Sequence, residues 1–544
     1  MPIGRLLVAN RGEIALRVFR TCRALGIETV AVVAPDDTGS LHARTADESV
    51  EITSYLHSEE HIRAARESGA DAIHPGYGFL AENADFAAAV DAAGLTWVGP
   101  PSESLRLGGD KLAAKRIARE AGVPILPDGT PEEVGFPLLV KAAAGGGGRG
   151  MRVVRSADEL EAALAAAERE AEGAFGDGTL YCERYLERPR HVEVQLLADA
   201  HGTVVAVGER DCSVQRRHQK VLEEAPAPGL SPALRTALHR AAVTFGEAVG
   251  YRSAGTVEFV LDGDELFFLE LNGRIQVEHP VTEAVTGLDL IAEQLRIAAG
   301  EPLVTSCHKP HGHAVEVRLY AEDSRSFLPQ AGRIEAFQLP SNKLLQPSIR
   351  VDAGVEEGDE VGLGYDPMIA KVVAHAATRD AALDGLAAAL AETHIAGVMT
   401  NLPFLRWLVA HPVVRAGEAT TAFLTEYPPL SALPVVRAPA AFRSPWRLNL
   451  SAPPPAPPPD IDLESHRPGA THGESTVTAP MPATVIRLEV APGDTVRARQ
   501  PLVVLEAMKM EIPVHAPFEG IVKAVHVAAG DRVAGGALLL ELES

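Results

Sequence analysis

The chain has 544 residues, of which 46% are hydrophobic, and 73 acidic against 50 basic residues give a formal net charge of −23. This length allows several domains with real cores, and the acidic balance argues against nucleic acid as a partner. The four cysteines show no paired spacing, charge arrives too early for a signal sequence, and no apolar run approaches the ~18 residues of a membrane helix, so we expect a cytoplasmic protein with no membrane partner.

The first 110 residues alternate apolar runs with helical stretches. Residues 5–9 predict a buried strand, residues 13–25 a helix that ends at Gly26, and residues 29–34 a second strand. The alternation continues to about residue 110. This order predicts a parallel α/β domain at the N-terminus.

A glycine-rich loop follows. Gly145, Gly147 and Gly150 make a formal G-x-G-x-x-G, but residues 151–154 are a β-type run, where a Rossmann or Walker loop would begin a helix. A glycine loop between two strands indicates a flap whose N–H groups hold phosphate, with Lys141 placed to neutralise charge. A plain hairpin turn is the alternative, and four consecutive glycines make it the weaker one.

Two apolar strands around Gly263 predict a β-hairpin that carries two carboxylates. With the turn centred there, Glu258 faces Phe268, and Glu270 is a diagonal neighbour about 7–8 Å away on the same face. Two carboxylates on an apolar surface repel each other unless a cation such as Mg²⁺ lies between them, and Asn272 adds a further oxygen. We therefore predict a metal site here in preference to pairing with arginine.

Two polar segments, 209–224 and 272–283, indicate a functional site, since so much polarity beside buried strands is costly as structure alone. For the first segment, a solvated basic face is the alternative. Residues 311–445 return to strands and helices. The cysteine and histidines of residues 307–313 lack a second ligand pair, so we interpret this run as a loop and not as a zinc site. A proline-rich linker is expected over residues 446–475, and its stretch from Ser451 to about Ser475 reaches roughly 70 Å when extended.

The last part of the chain contains two copies of one β-unit. Residues 477–506 align with residues 514–543, Pro480 falling on Pro517, and apolar, glycine and aspartate positions coincide. Such self-similarity predicts a small flattened barrel with pseudo-two-fold symmetry. Lys509 falls between the copies, flanked by two methionines, and we expect it on an exposed hairpin tip that another enzyme can reach.

The segment Glu506-Ala-Met-Lys-Met-Glu511 resembles the biotinyl domain of biotin-dependent carboxylases, and the match extends over residues 477–544. The resemblance implies that Lys509 carries biotin, attached by a biotin protein ligase. Lipoyl domains share the barrel but lack the flanking methionines. Ala483 stands where the family commonly has glycine, a departure that leaves the modification site intact.

Residues 1–445 resemble a biotin carboxylase of the ATP-grasp superfamily. The resemblance rests on Ala9-Asn-Arg-Gly-Glu-Ile, His74-Pro-Gly-Tyr-Gly-Phe-Leu-Ala-Glu-Asn, Gly109-Asp-Lys, Arg190-His-Val-Glu-Val-Gln and Ile275-Gln-Val-Glu-His-Pro-Val-Thr-Glu. It implies an α/β fold with an N-terminal domain (1–110), an ATP-grasp domain (111–310) with a lid at about 131–203, an α+β C-terminal domain (311–445) and, after the linker, an all-β biotinyl barrel (476–544).

The resemblance also implies a role for individual residues. ATP would be held by Lys111, Lys141, Gly147, Gly148, His191, Gln215 and His218, with Glu183, Arg184, Tyr185 and Leu186 around the adenine. Mg²⁺ or Mn²⁺ would be bound by Glu258, Glu270 and Asn272. Bicarbonate would be held by Lys220, Arg274 and Val277, with Glu278 as its base, and Arg350 would stabilise carboxyphosphate and the biotin enolate.

The implied activity is ATP- and bicarbonate-dependent carboxylation of biotin on Lys509. The carboxyl group would pass to a separate carboxyltransferase (beta) subunit of an acyl-CoA carboxylase, in an oligomeric enzyme. A subunit of a pyruvate or other 2-oxo acid carboxylase and a non-enzymatic biotin carrier are the alternatives. Departures from the family pattern include Gly273, Gly364 and Ala144, and none of them removes a charged group of the site.

Overall fold

A computed structural model of the protein describes residues 3–143, 151–216, 219–303, 310–340, 347–362, 364–433, 476–479, 483–507, 510–533 and 536–543. The predicted linker lies outside these residues. None of the helices in the described ranges is long and apolar enough to cross a membrane.

The N-terminal part is a five-stranded parallel sheet covered by helices. Its elements are β1 (Arg5–Val8), α1 (Gly12–Leu25), β2 (Glu28–Val33), α2 (Leu41–Thr45), β3 (Glu48–Glu51), α3 (Ser58–Glu67), β4 (Ala72–His74), α4 (Ala84–Ala92), β5 (Thr96–Trp97) and α5 (Ser102–Gly109). The strand order is β3-β2-β1-β4-β5, with every pair parallel. Helix α1 ends where Gly26 takes a left-handed conformation at φ 73°. The predicted parallel α/β domain is confirmed.

A small antiparallel sheet follows, in the order β6-β9-β7-β8. After α6 (Lys111–Glu120) come β6 (Asp128–Gly129), α7 (Pro131–Val134), β7 (Leu138–Ala142), β8 (Arg152–Val154), α8 (Ala157–Phe175) and β9 (Leu180–Arg184). Helix α8 packs against this sheet. The predicted glycine flap falls between β7 and β8. The small sheet ends at Arg184, and the next strand already belongs to a larger one.

The larger sheet has eight antiparallel strands and carries the site. Its order is β14-β13-β10-β11-β12-β15-β20-β18. The elements up to residue 303 are β10 (Arg190–Ala198), β11 (Val204–Arg216), β12 (Gln219–Ala225), α9 (Pro232–Ala248), β13 (Ser253–Asp262), β14 (Glu265–Asn272), α10 (His279–Thr286) and α11 (Leu290–Ala298). Pairing of β12 with β15 carries the sheet across the predicted domain limit at residue 310.

The C-terminal domain completes this sheet and covers it with helices. Its elements are β15 (His313–Tyr320), β16 (Gly332–Arg333), β17 (Ala336–Gln338), β18 (Ser348–Ala353), β19 (Glu360–Val361), β20 (Met368–Ala376), α12 (Arg379–Glu392), β21 (His394–Ala396), α13 (Leu402–Ala410), α14 (Pro412–Ala416) and α15 (Phe423–Glu426). Strands β16 and β19, and β17 and β21, form two further pairs. Apolar residues of β15 and β20 form one core with those of α12 and α13.

The last domain is built from two four-stranded sheets, ordered β22-β29-β27-β24 and β26-β25-β23-β28. Its strands are β22 (Thr476–Thr478), β23 (Ala483–Leu488), β24 (Thr495–Val496), β25 (Pro501–Ala507), β26 (Met510–His515), β27 (Gly520–Val525), β28 (Arg532–Val533) and β29 (Leu538–Glu543). The repeat is visible in the structure, since Gly493 and Gly530 share a φ of 96° and both copies bury matching leucines. The predicted barrel is confirmed.

Candidate active site

The two predicted metal carboxylates lie on the hairpin of β13 and β14. The register expected from the sequence, with Glu258 opposite Phe268, is wrong. A β-bulge between Glu258 and Phe259 sets Glu258 directly opposite Glu270, and Phe268 pairs with Phe259. The bulge adds one residue to β14 and so turns the expected diagonal into a direct pair, for which Cβ atoms lie about 4.5–5.5 Å apart.

This pair and Asn272 fit a hard divalent cation. Asn272 ends β14, and its Nδ2 donates a hydrogen bond to Glu258 Oε1 at 2.9 Å. Burial, and then the charge of Glu258, raise the pKa of Glu270. Burial lowers the pKa of Lys111, against the opposing effect of Glu270. Carboxylate and amide oxygens are the ligands that Mg²⁺ prefers, and a cation between the carboxylates would remove their repulsion.

Lys220 is the centre of the site. Its ammonium group lies 2.5 Å from Glu193, 2.7 Å from Glu258 and 2.6 Å from Glu278. Burial would lower the pKa of Lys220, but the three carboxylates hold it well above its usual value. Arg210, fully buried, bonds Glu193 from the other side. The predicted metal and bicarbonate residues therefore form one continuous network of charges.

Glu278, the predicted base, is buried with both oxygens in ion pairs. Oε1 accepts from Lys220 at 2.6 Å, and Oε2 lies 3.0 Å from Arg318, which also bonds Glu223. Burial would raise the pKa of Glu278, but Lys220 and Arg318 hold it far below its usual value. The carboxylate is thus ionised, and its proton affinity rises only when one of these cations turns away.

Arg274 and Val277 lie in the segment that joins the hairpin to α10. Arg274 Nη2 donates to Asn272 Oδ1 at 2.8 Å, and its Nε lies 3.1 Å from Glu82 of the N-terminal domain. The arginine is therefore fixed between Asn272 and that domain. Its guanidinium, together with Lys220, makes this side of the site suited to an anion.

The predicted phosphate lysine is paired with a carboxylate. Lys141 Nζ donates to Glu183 Oε1 at 2.7 Å, and Lys115 donates to the other oxygen of Glu183 at 2.5 Å. Gln215 bonds His191 Nδ1, and His191 Nε2 lies 2.8 Å from Glu258. His191 thus links Gln215 to Glu258 of the carboxylate pair.

The other residues predicted to hold ATP differ in their exposure, and some of them lie outside the described ranges. Arg184 is exposed and 3.6 Å from Asp262, Tyr185 is half-buried and Leu186 is buried. Four predicted site residues lie outside the described ranges: Gly147, Gly148, His218 and Lys509. On either side of Lys509, Ala507 pairs with Met510 across β25 and β26.

Arg350 lies on β18 and is held by two carboxylates. Its Nη2 lies 2.6 Å from Asp352, and its Nη1 donates to Glu283 of α10 at 2.7 Å. Arg17 and Arg20 of α1 bond the same two carboxylates. The guanidinium is therefore fixed at the junction of the N-terminal and C-terminal domains, and α10 joins it to the segment that contains Glu278.

Several residues of this network were not predicted. Glu193, Arg210 and Arg318 have buried side chains on β10, β11 and β15, and Lys115 shares Glu183 with Lys141. A charged residue between apolar neighbours was the available signal for Glu193 and Arg318, and Arg210 lies in the polar segment 209–224, but the sequence does not show which charges pair across strands.

Four family models match the chain. They are the biotin carboxylase N-terminal domain (residues 2–105), the ATP-binding domain of the carbamoyl-phosphate synthase L chain (110–306), the biotin carboxylase C-terminal domain (316–426) and the biotin-requiring enzyme domain (475–542). Together they follow the order of domains expected from the sequence.

Curated relatives include acyl-CoA carboxylase subunits and a biotin carboxylase. The chain is 42% identical to the biotin-dependent acyl-coenzyme A carboxylase alpha3 subunit of Mycobacterium leprae, over 99% of each protein. It is 46% identical to the biotin carboxylase of Halalkalibacterium halodurans, over 78% of this chain and 97% of that protein. It is also 46% identical to the methylcrotonoyl-CoA carboxylase subunit alpha of Arabidopsis thaliana, over 78% of this chain and 61% of that one.

Solved structures agree with the fold. A biotin carboxylase–βγ-ATP complex from Campylobacter jejuni superposes with a TM-score of 0.76 at 40% identity, over 78% of this chain and 99% of that one. The biotin carboxylase domain of Hydrogenobacter thermophilus 2-oxoglutarate carboxylase, a complex with MgADP and bicarbonate, gives 0.76 at 42% identity, over 79% and 98%.

These matches cover the α/β domain, the site and the terminal barrel in one chain. The chain therefore belongs to the biotin carboxylases that are fused to a biotin carrier domain, which are ATP-dependent ligases.

Proposed function

We propose that this chain carboxylates biotin on its own Lys509 and supplies the carboxyl group to the carboxyltransferase of an acyl-CoA carboxylase. The observation that carries the proposal is the charge network around Lys220. It links the two cations Lys220 and Arg274, the buried carboxylate of Glu278, and the paired carboxylates of Glu258 and Glu270. We propose these as the anion site, the base and the metal site. ATP-dependent activation of bicarbonate needs these three elements together.

In this proposal Lys220, Arg274 and the Val277 segment hold bicarbonate. Glu278 takes its proton, and the oxyanion then attacks the γ-phosphoryl group of ATP, so that carboxyphosphate forms and ADP leaves. Bicarbonate would compete with the three carboxylates that now pair with Lys220, because an anion bound there replaces one of them. When the ion pair between Lys220 and Glu278 is lost in this way, the proton affinity of Glu278 rises while the substrate is in place.

Nucleotide binding follows a similar exchange. Glu258, Glu270 and Asn272 would hold Mg²⁺ or Mn²⁺, which neutralises charge on the phosphates. Lys141 would leave Glu183 for a phosphate, while Lys115 keeps the carboxylate paired. Lys111, Gly147, Gly148, His191, Gln215 and His218 are proposed as the other phosphate and ribose contacts, with residues 183–186 around the adenine.

Arg350 is proposed to stabilise negative charge on the carboxyl donor and on biotin. Its planar guanidinium is fixed by Asp352 and Glu283, so little reorganisation is needed when charge develops beside it. A lysine would offer one point charge without the planar, rigid set of donors that a guanidinium has.

An acyl-CoA is the proposed acceptor class. The Mycobacterium leprae alpha3 subunit matches this chain from end to end, carrier domain included. We further propose a carboxyltransferase partner, a biotin protein ligase that modifies Lys509, an oligomeric assembly and a cytoplasmic location. The last fits the three described cysteines, Cys22, Cys182 and Cys212, all of which are free thiols.

The test is capture of the native complex through its biotin. The captured protein receives ATP, Mg²⁺ and labelled bicarbonate, and then acetyl-, propionyl- or methylcrotonyl-CoA, or pyruvate. Label on an acyl-CoA supports the proposal, and label on pyruvate alone refutes the acceptor class. Lys509→Arg is the control, because it keeps the charge and the barrel but removes the biotin attachment site, so this variant should not be captured. Capture of the variant through biotin would refute Lys509 as the biotin residue.

A further inference from the structure

The most unusual buried charge outside the proposed ligand set is Lys371 of β20. Its side chain is 0% exposed, and its register partners across the sheet are Arg318 on β15 and Asp352 on β18. A buried ammonium group is costly unless its hydrogen bonds are satisfied, and it ordinarily satisfies them with carboxylates. The shortest contact of Lys371 is instead with a main-chain carbonyl.

Lys371 Nζ donates to the main-chain carbonyl of Val277 at 2.7 Å. Its nearest carboxylate oxygen in an ion pair is Glu13 Oε1, at 3.3 Å, on the first turn of α1. The same oxygen of Glu13 accepts the hydroxyl hydrogen of Tyr77. The ammonium thus joins the C-terminal sheet to the N-terminal domain through one carbonyl of the proposed bicarbonate segment.

That segment is fixed from three sides. Gln276 Nε2 donates to Glu258 at 2.8 Å, and Glu278 pairs with Lys220 and Arg318. Between these two side chains lies the carbonyl of Val277, and Lys371 is the side chain that donates a hydrogen bond to it within the described residues. Without that donor, the backbone that presents Val277 can rotate while the side chains on either side stay bonded.

We propose that Lys371 is a positioning residue for bicarbonate, acting through the backbone of Val277; the inference rests on the proposed function above. Its ammonium group fixes the carbonyl direction and thereby the peptide planes that face the anion. It also adds a buried positive charge beneath a site for a negatively charged substrate. Small shifts in such a segment weaken productive binding strongly.

The experiment compares Lys371→Met and Lys371→Gln with the wild type as full-length biotinylated protein. The rate of bicarbonate-dependent ADP release gives KM for bicarbonate and for ATP. We expect KM for bicarbonate to rise at least tenfold in the Met variant, while KM for ATP stays within twofold, because the nucleotide contacts do not involve Lys371. A change of less than twofold in KM for bicarbonate, or an equal rise in both constants, would overturn the inference.

Arg379→Met is the matched control. Like Lys371, Arg379 is a cation of the C-terminal domain that contacts both a carboxylate and the main chain. It donates hydrogen bonds to Glu224 and to the main-chain carbonyls of Val414 and Arg415. It should leave KM for bicarbonate unchanged. If it raises that constant as much as Lys371→Met does, general loosening of the domain is the cause and the inference fails.

Hydrogen–deuterium exchange of residues 275–279 gives a readout that does not need activity. Uptake there should be faster in both Lys371 variants than in the wild type and unchanged in the control. If the wild type shows no bicarbonate-dependent ADP release, the proposed function fails, and the exchange data still decide whether Lys371 holds the segment. The Gln variant keeps a polar group in the buried site, so it remains testable if the Met variant does not fold.

Discussion

Replacing Glu278 by glutamine tests the centre of the proposed mechanism. The amide is nearly isosteric with the carboxylate but cannot accept a proton from bicarbonate at neutral pH. We expect the rate of bicarbonate-dependent ADP release to fall about 10²–10⁴-fold, the usual contribution of a positioned general base. At about 1.4 kcal/mol for each factor of ten, this is ~3–5 kcal/mol in the activation free energy.

The structure indicates that the variant will fold. Lys220 keeps Glu193 and Glu258, and Arg318 keeps Glu223, so neither cation is left without a carboxylate. Breaking a buried ion pair costs about 3–5 kcal/mol when it leaves an uncompensated charge. Since these cations stay compensated, the loss of unfolding free energy should be smaller, about 1–2 kcal/mol.

The assay measures ADP release by full-length biotinylated protein with and without bicarbonate. Asp37→Asn is the control, because Asp37 is also a buried carboxylate, bonded by Arg11 and Tyr55, but lies outside the network around Lys220. Its rate should stay within about twofold of the wild type. A Glu278→Gln rate within threefold of the wild type would refute Glu278 as the base.

Three further outcomes follow from the charges of the site. Glu270→Gln should raise the Mg²⁺ concentration for half-maximal activity at least about tenfold, and an unchanged Mg²⁺ titration would contradict the metal assignment. Lys115→Met should weaken ATP binding roughly tenfold, because Lys141 is then the one lysine that pairs with Glu183 and is less free to bind phosphate. A nucleotide titration measures the affinity, and an affinity equal to that of the wild type would contradict this. Burial raises the pKa of Glu223 to about 7, so its stabilising contribution is complete below the unfolded pKa and is lost as pH rises through 7. Glu223→Gln should therefore shift the unfolding midpoint upward relative to wild type more at pH 8 than at pH 5, and equal shifts at the two pH values would contradict this.

The fold followed from the sequence wherever a pattern is local. Alternating strands and helices predicted the parallel N-terminal sheet, and the repeated β-unit predicted the barrel, because both patterns can be read directly along the chain. The end of α1 was also predictable, since it needs only one residue, Gly26, in the left-handed conformation. The limit at residue 310 has no such signal, because β12 and β15 pair across it within one sheet.

Several predicted site residues lie close together in the structure, but the sequence did not show all of their pairings. Glu258 and Glu270 were identified from spacing, yet their direct opposition depends on a bulge that the turn position does not reveal. Lys371 was missed for a related reason, since a lysine on an apolar strand gives no hint that it bonds a carbonyl 94 residues away. Such contacts depend on tertiary packing and not on local spacing.

The arrangement of charge explains how one site can bind several anions without a large excess of positive charge. Lys220 pairs with three carboxylates, and Lys141 shares the carboxylate of Glu183 with Lys115. In the proposed mechanism, binding of an anion at either lysine is an exchange of partners, which costs less than placing a bare charge in a buried site. The exchange at Lys220 would have a chemical consequence, because loss of its ion pair with Glu278 would raise the proton affinity of that carboxylate when an anion is present. Proton removal and substrate binding would thereby be coupled through a single lysine.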